Sequence, residues 1–165
     1  MSLLRNASEY LMNPWDVRLD PAVQVVSARV SVIVHATEDS EKVVSALNKA
    51  HGQEVSQPVI EKRVLKGHFG NEITTLTVNL RGRLVELSLS NLWRNLSSLD
   101  RMRLLEELDN RFDEENRLHV RLDKQECFRG TLRLKDQDPI KAQFSFQGLS
   151  DPKREVRQLL ESYLK

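Results

Sequence analysis

The stretch Val26-Ser27-Ala28-Arg29-Val30-Ser31-Val32-Ile33-Val34-His35 alternates along most of its length between apolar and polar side chains. Valine and alanine occupy the even positions, whereas Arg29, Ser31 and His35 occupy odd ones. Because successive side chains of a strand point to opposite faces of a sheet, this period of two predicts a half-buried strand over 26–35. The even positions are expected to face a core and the odd positions to face solvent.

Helix and hairpin signals follow this strand. Thr37 is predicted to cap a helix that carries acids in its first turn and ends near Gly52. Two further strands are predicted over 58–66 and 72–81. Between them, Gly67-His68-Phe69-Gly70-Asn71 has the length and the glycines of a hairpin loop.

The second half of the chain shows both helical and strand periodicity. Ser97 with Asp100 resembles a capping box at the start of a helix, and Asp123 with Lys124 suits a tight turn between two strands. The predicted elements are helices over 83–96 and 99–113, strands over 117–123, 127–135 and 139–147, and a last helix that begins at Ser150-Asp151-Pro152.

The predicted order of elements is β-α-β-β-α-α-β-β-β-α. Strands joined by hairpin-length turns favour antiparallel pairing, so the sequence predicts an α+β two-layer sandwich with helices packed on one face of a largely antiparallel sheet. One domain is expected over 24–165. It is preceded by an N-terminal arm over 1–23, whose apolar residues suit a short amphipathic helix docked on this domain or on a partner.

Composition bounds the class of protein. The chain has 165 residues, of which 39% are hydrophobic and 30% charged, as in a soluble globular domain. It contains no apolar run long enough to cross a membrane and no secretory signal, so a cytoplasmic location is expected. The single cysteine, Cys127, excludes an intramolecular disulfide and a cysteine-based zinc site, and it is predicted to be structurally dispensable.

Charge is distributed unevenly although the net charge is only +1. If helices cover one face of the sheet, the outward positions of the last three predicted strands form a basic face without acids, and a polyanion would relieve the repulsion within it. A merely solvated face is the competing interpretation. These outward positions are Arg117, His119, Arg121, Arg129, Thr131, Arg133, Lys135, Lys141, Gln143, Ser145 and Gln147, joined by Arg29 and His35 of the first strand.

Three short runs fall where strand patterns break: His35-Ala36-Thr37-Glu38-Asp39, Gly67-His68-Phe69-Gly70-Asn71 and Arg121-Leu122-Asp123-Lys124-Gln125. In their order and spacing, residues 27–148 resemble the archaeal family of predicted RNA-binding, exosome-associated proteins with a fold related to ribosomal protein L5. The resemblance implies a non-catalytic RNA-binding module of RNA processing, with exosome subunits as possible partners. No aromatic residue is expected on the outward strand positions, which favours structured or double-stranded RNA over stacked single strands.

Two other functions compete with RNA binding. The four histidines and nearby acids could in principle form a metal or acid–base site, but no metal-ligand or nucleophile motif is present, so no catalytic residue, metal or cofactor is expected. An adaptor without RNA contact would use the acidic stretch 106–115 or the N-terminal arm. The residues predicted to contact RNA are Arg29, His35, His68, Arg117, Arg121, Lys124, Gln125, Arg129, Arg133 and Lys141.

Overall fold

A five-stranded sheet forms one layer of the protein, and helices form the other. The structure is a computed structural model that describes residues 23–52 and 58–165. In chain order, its elements are β1 (Gln24–Val34), α1 (Ser40–His51), β2 (Ile60–Lys66), β3 (Glu72–Arg81), α2 (Arg83–Asn95), α3 (Ser98–Glu106), α4 (Leu108–Arg111), β4 (Arg117–Leu122), α5 (Lys124–Arg129), β5 (Ile140–Gln147) and α6 (Pro152–Ser162).

The alternating stretch around Val30 becomes the central strand of the sheet. The strand order is β2-β3-β1-β5-β4, and every neighbouring pair is antiparallel. Ala28, Val30, Val32 and Val34 are buried, so the even positions of β1 face the core as predicted. The predicted α+β fold, with a largely antiparallel sheet and helices on one face, is confirmed.

The core lies between the sheet and the helices. The inward positions of β3, β4 and β5 pack there with the apolar sides of α1, α2 and α6, and Trp93 and Phe144 are the bulkiest of the fully buried side chains. Because this side of the sheet is covered by helices, the odd positions of β1 and their neighbours on β5 and β4 form the opposite, outer face. Within the described ranges, no helix has the length and hydropathy needed to cross a membrane.

All three loop runs lie at the same end of the sheet. β1 ends there at Val34, β3 begins there opposite it, and β5 begins there beside the end of β4. Three segments therefore lie side by side at this end of the strands: the hairpin loop 67–71, the β1–α1 connection and the start of α5. Pairing of the strands, rather than nearness in the chain, brings them there.

The strand predicted over 127–135 is wrong. Residues Lys124–Arg129 form helix α5, whose N-cap Asp123 accepts hydrogen bonds from the backbone N–H groups of Gln125 (2.9 Å) and Glu126 (3.0 Å). Gly130 ends the helix with φ of +93°, a left-handed conformation that glycine tolerates. Asp123 and Lys124 thus start a helix instead of forming a hairpin turn.

Only the last part of that segment is extended. Residues 131–135 make a single antiparallel bridge to the end of β4, between Leu134 and Leu122, and bury Leu132 and Leu134. Phe128, which falls in this predicted strand, lies on α5 and is 38% exposed.

Two helix boundaries also differ from prediction. The N-cap of α1 is Asp39 rather than Thr37, because the Asp39 carboxylate accepts from the N–H groups of Glu41 and Lys42. The helix predicted over 99–113 divides at Glu107 into α3 and α4. The cap formed by Ser97 is confirmed, since its hydroxyl accepts from the Asp100 N–H at 3.1 Å. The N-terminal arm lies outside the described residues except for Val23.

Candidate nucleic-acid interface

The outer face of the sheet carries a cluster of cations on three adjacent strands. Arg121 of β4 lies directly opposite Lys141 of β5, and Arg29 of β1 lies opposite Gln143 of β5. These residues line an open cleft of about 330 Å³, which we call the basic cleft; its lining is Arg29, Ser31, His119, Val120, Arg121, Lys141, Ala142 and Gln143. Like charges placed opposite each other on paired strands destabilise the sheet. The pair Arg121–Lys141 therefore needs a reason beyond folding.

The charges of the basic cleft are poorly compensated. Within residues 23–52 and 58–165, neither Arg29 nor Lys141 has a carboxylate within ion-pair distance. Arg121 Nη1 lies 3.9 Å from Asp136 Oδ1, at the limit of an ion pair, and both side chains are half exposed. The charged groups of Arg29, Lys141 and Arg121 are thus available to an anionic ligand.

Arg117 and His119 lie on the same face but are held by an acid. Asp113 Oδ2 accepts from Arg117 Nε at 2.8 Å and from His119 Nε2 at 2.7 Å, and Glu115 forms a second ion pair with Arg117. Burial alone would raise the pKa of Asp113, but the hydrogen bonds from His119 and Arg117 outweigh it and hold that pKa well below its usual range. This corner of the outer face is therefore neutralised internally.

Lys124 and His35 belong to a separate group that we call the lysine cluster. Lys124 Nζ donates to the Ile33 carbonyl (2.8 Å), to both oxygens of Glu38 (3.1 and 3.2 Å) and to Asp138 (3.0 Å), and the residue is 8% exposed. His35 Nε2 lies 2.9 Å from the other oxygen of Asp138. These contacts occupy the donors of Lys124, so the structure favours a structural role for it.

The lysine cluster also contains the group of possible metal ligands found among the described residues. Single ligand atoms of His35, Glu38 and Asp138 lie within 4.8 Å of one another. The Lys124 ammonium already bonds to two of these three residues, so the carboxylates surround a cation supplied by the chain itself. A divalent ion would have to displace a lysine whose hydrogen bonds are satisfied, and the donor set therefore does not favour a metal.

The remaining predicted residues lie outside the basic cleft, and two of them, Gln125 and Arg129, line a separate pocket with Lys124. Gln125 and Arg129 are exposed on α5, on the helical side, where Arg129 pairs with Glu126 at 3.0 Å. Arg133 is exposed in the extended segment beside β4. It precedes Leu134, which forms the bridge to Leu122 of β4. His68 lies at the tip of the β2–β3 hairpin. Arg29, Arg121 and Lys141 are brought together, whereas His68 and Arg129 are not placed with them.

Sequence reasoning missed several exposed aromatic positions. Phe69 is 88% exposed at the hairpin tip, and Phe128 on α5 has the ammonium groups of Lys42 and Lys49 at 5.7 and 5.3 Å from its ring centroid. The loop position of Phe69 was visible in the sequence, where packing over the edge of the core was the interpretation, but the ring faces solvent. The Phe128 site could not be found while residues 127–135 were assigned to a strand.

Within the described residues, an antiparallel sheet with helices on one face and clustered cations on the other defines a small α+β protein. The family model described as RNA binding matches residues 27–146, and the chain belongs to this family.

Two sequence relatives and a solved structure agree with this assignment. The chain is 31% identical over 121 residues to RNA-binding protein PAB1135 of Pyrococcus abyssi (72% of this chain, 79% of the relative). It is 33% identical over 136 residues to uncharacterized protein MJ0213 of Methanocaldococcus jannaschii (79% of this chain, 91% of the relative). The crystal structure of the DUF54 protein SSO0741 from Sulfolobus solfataricus is similar, with a TM-score of 0.69 and 26% identity over 82% of this chain and 98% of the other. The expected archaeal RNA-binding family is thereby confirmed.

Proposed function

We propose that this protein is a non-catalytic RNA-binding protein that holds the sugar–phosphate backbone of structured RNA in the basic cleft. The observation that supports this most is the juxtaposition of Arg29, Lys141 and Arg121 on the outer face, where the long contact from Arg121 to Asp136 is their one ion pair among the described residues. Phosphate contacts release condensed counterions and favour lysine and arginine, so a phosphate ligand would relieve the repulsion between Arg121 and Lys141.

The strand positions of the cleft favour backbone recognition over base stacking. Its lining combines cations with the hydrogen-bonding side chains of Ser31 and Gln143. It includes no phenylalanine, tyrosine or tryptophan, and its histidine, His119, is hydrogen-bonded to Asp113. Such groups suit phosphate oxygens and 2′-hydroxyls, which structured RNA presents without unstacking its bases. We therefore expect a preference for RNA over DNA of the same sequence and little dependence on base sequence.

The test is the salt dependence of binding to a duplex RNA by single-site variants. Arg121→Ala and Lys141→Ala should each weaken binding about tenfold, since a charged hydrogen bond contributes roughly 1.5–3 kcal/mol. Each should also lower the slope of log affinity against log salt by about one unit. Wild-type affinity and slope in both folded variants would refute the proposal.

A matched control is available on the helical side. Arg154 of α6 is 65% exposed and forms one ion pair, with Asp151 at 3.5 Å, so Arg154→Ala removes the same charge without touching the outer face. Binding by this variant should stay within about twofold of wild type, which is ~0.4 kcal/mol on the affinity scale. An equal loss in Arg154→Ala would show that only net charge matters.

Association with exosome subunits stays a prediction of the family resemblance. In the acidic stretch 106–115, Glu107 binds Arg103 and Arg111, Asp109 pairs with Lys153, and Asp113 is held as described above. The exposed acids Glu106 and Glu114 have no ion pair among the described residues and are the charges left for such a partner. Capture from native lysate with and without nuclease would separate a bridging RNA from a direct protein contact.

A further inference from the structure

The tip of the β2–β3 hairpin presents an aromatic side chain to solvent. Two backbone hydrogen bonds close the loop, from Gly67 N–H to the Asn71 carbonyl (2.6 Å) and from Gly70 N–H to the Gly67 carbonyl (3.0 Å). Phe69 is 88% exposed, and the His68 ring meets it edge-on at 5.1 Å. The Phe69 ring therefore contributes almost nothing to the core.

An apolar strip on the outer face leads from the basic cleft toward this tip. The outward positions next to the hairpin are Leu65, which is 55% exposed and pairs with Ile73, and Ile33, which is 38% exposed and pairs with Thr75. Ile33 follows Arg29 and Ser31 along the outward side of β1. The outer face thus changes from cationic to apolar along β1 toward the end where the hairpin lies.

A cation accompanies this strip as well. Arg63 of β2 lies opposite Thr75 on the outer face, and it is exposed without an ion pair among the described residues. A single strand of RNA has the same two-sided character, because its phosphates are anionic and the faces of its bases are apolar. Proteins that hold unpaired nucleotides combine a basic path for the backbone with aromatic side chains on which bases stack.

We propose that the hairpin tip and the apolar strip bind unpaired nucleotides that continue from the structured RNA in the basic cleft, with one base stacked on Phe69. This site rests on the proposed function, since the cleft is what places the RNA beside the hairpin. The His68 ring stands perpendicular to the Phe69 ring, so it covers at most one face of that ring and leaves another face for the base. The favoured ligand is a duplex with a single-stranded tail rather than a blunt duplex.

The experiment compares two RNAs that share one duplex: a blunt form and a form with a short single-stranded tail of adenosines. Wild type should bind the tailed RNA about tenfold more tightly, as expected for stacking of one base. Phe69→Ala should abolish this difference and leave the affinity for blunt duplex unchanged, whereas Phe69→Trp should retain it. A 2-aminopurine in the tail should lose fluorescence on binding to wild type but not to Phe69→Ala.

The matched control is Val59→Ala, because Val59 is an apolar residue that is 83% exposed and lies before β2, at the other end of that strand from the loop. It should keep the preference for the tail. Equal affinity of wild type for both RNAs, with Arg121→Ala weakening both, would overturn this inference and leave the proposed function standing. Binding of neither RNA would overturn both. If Phe69→Ala instead abolished self-association in sedimentation while RNA binding stayed unchanged, the strip would be a contact between copies and the inference would fail.

Discussion

Lys124 shows how one buried side chain joins two distant parts of the chain. Its ammonium bonds to Glu38 and to the Ile33 carbonyl at the end of β1, and to Asp138 in the segment before β5. Because it supplies the positive charge to both carboxylates, it fixes the β1–α1 connection against the start of α5. The ion pair between Glu38 and Lys124 explains why the runs 35–39 and 121–125, far apart in the sequence, both carry charged residues.

Replacing Lys124 by Met keeps the buried aliphatic stem and removes the charge. Breaking an ion pair with a buried partner costs up to 3–5 kcal/mol, but Asp138 is half exposed and can be hydrated. We therefore expect a loss of about 2 kcal/mol in the free energy of unfolding, measured with urea. Lys62→Met, at an exposed position of β2, should change stability by less than about 0.5 kcal/mol. Equal stability of both variants would show that the cluster contributes nothing.

The burial of Cys127 argues against the prediction that this residue is structurally dispensable. It is fully buried in the core on α5, so it is not structurally dispensable. Cys127→Ser should lower the free energy of unfolding by about 1–2 kcal/mol, because the hydroxyl would lose its hydration in an apolar site. RNA affinity of the folded variant should stay within about twofold of wild type.

The thiol itself should be unreactive in the native protein. Burial, together with Asp123 and Glu126, raises the pKa of Cys127 to about 12, so almost no thiolate exists at neutral pH. Modification by a disulfide reagent should therefore be slow in buffer and fast in denaturant. Rapid labelling of the folded protein would contradict the burial.

At the scale of elements, α5 is the helix that the sequence pattern did not predict. Helix signals were present: Asp123 as N-cap, Glu126 three residues later and Gly130 just past the end. Alternation of Leu132 and Leu134 was real but belonged to the short extended segment alone. A six-residue helix leaves too little sequence for a 3.6 period to outweigh a neighbouring period of two.

The same limit applies to the candidate interface. Outward positions of β1, β4 and β5 could be predicted, because alternation places Arg29, Arg121 and Lys141 on the solvent side once helices cover the other. The partners that neutralise neighbouring cations could not. Lys124 meets Glu38 across 86 positions of sequence, and only the strand order brings them together.

The turn between α4 and β4 should make stability depend on acid pH. Asp113 closes this turn by accepting from the N–H groups of Glu115 (2.9 Å) and Arg117 (3.0 Å), besides its two side-chain partners. Its pKa is lower in the folded state than in the unfolded state, so its contribution is present above about pH 4 and is lost as the pH falls through the folded pKa. The stability difference between wild type and Asp113→Asn should be greatest near neutrality and shrink below about pH 4. A difference independent of pH would contradict this account.

At the scale of the whole molecule, a net charge of +1 conceals a separation of charges. Between α3 and α4, Glu107 pairs with Arg103 and Arg111, and Asp109 of α4 pairs with Lys153. Arg29, Arg121 and Lys141, by contrast, lie together on the outer face. Acids also reach the outer face: Asp113 and Glu115 at its Arg117 corner, Asp136 beside Arg121, and Glu61 on β2. The strength of RNA binding should then follow the charge of this face and not the charge of the protein.

Asp113→Asn tests this separation through a gain instead of a loss. Removing the carboxylate frees His119 and leaves the exposed Glu115 as the remaining acidic partner of Arg117 among the described residues, so affinity for duplex RNA should rise about fivefold, or ~1 kcal/mol. The salt slope should steepen by about one unit as Arg117 becomes a phosphate ligand. Asp109→Asn makes the same charge change on α4, beside Lys153 on the helical side, and should leave affinity unchanged. The titrations are done at neutral pH and at a temperature well below the midpoint of thermal unfolding, so that the lower stability of Asp113→Asn does not affect the measured affinity. Unchanged or weaker binding by this variant would mean that RNA does not approach the Arg117 corner, whereas an equal gain in Asp109→Asn would return the effect to net charge.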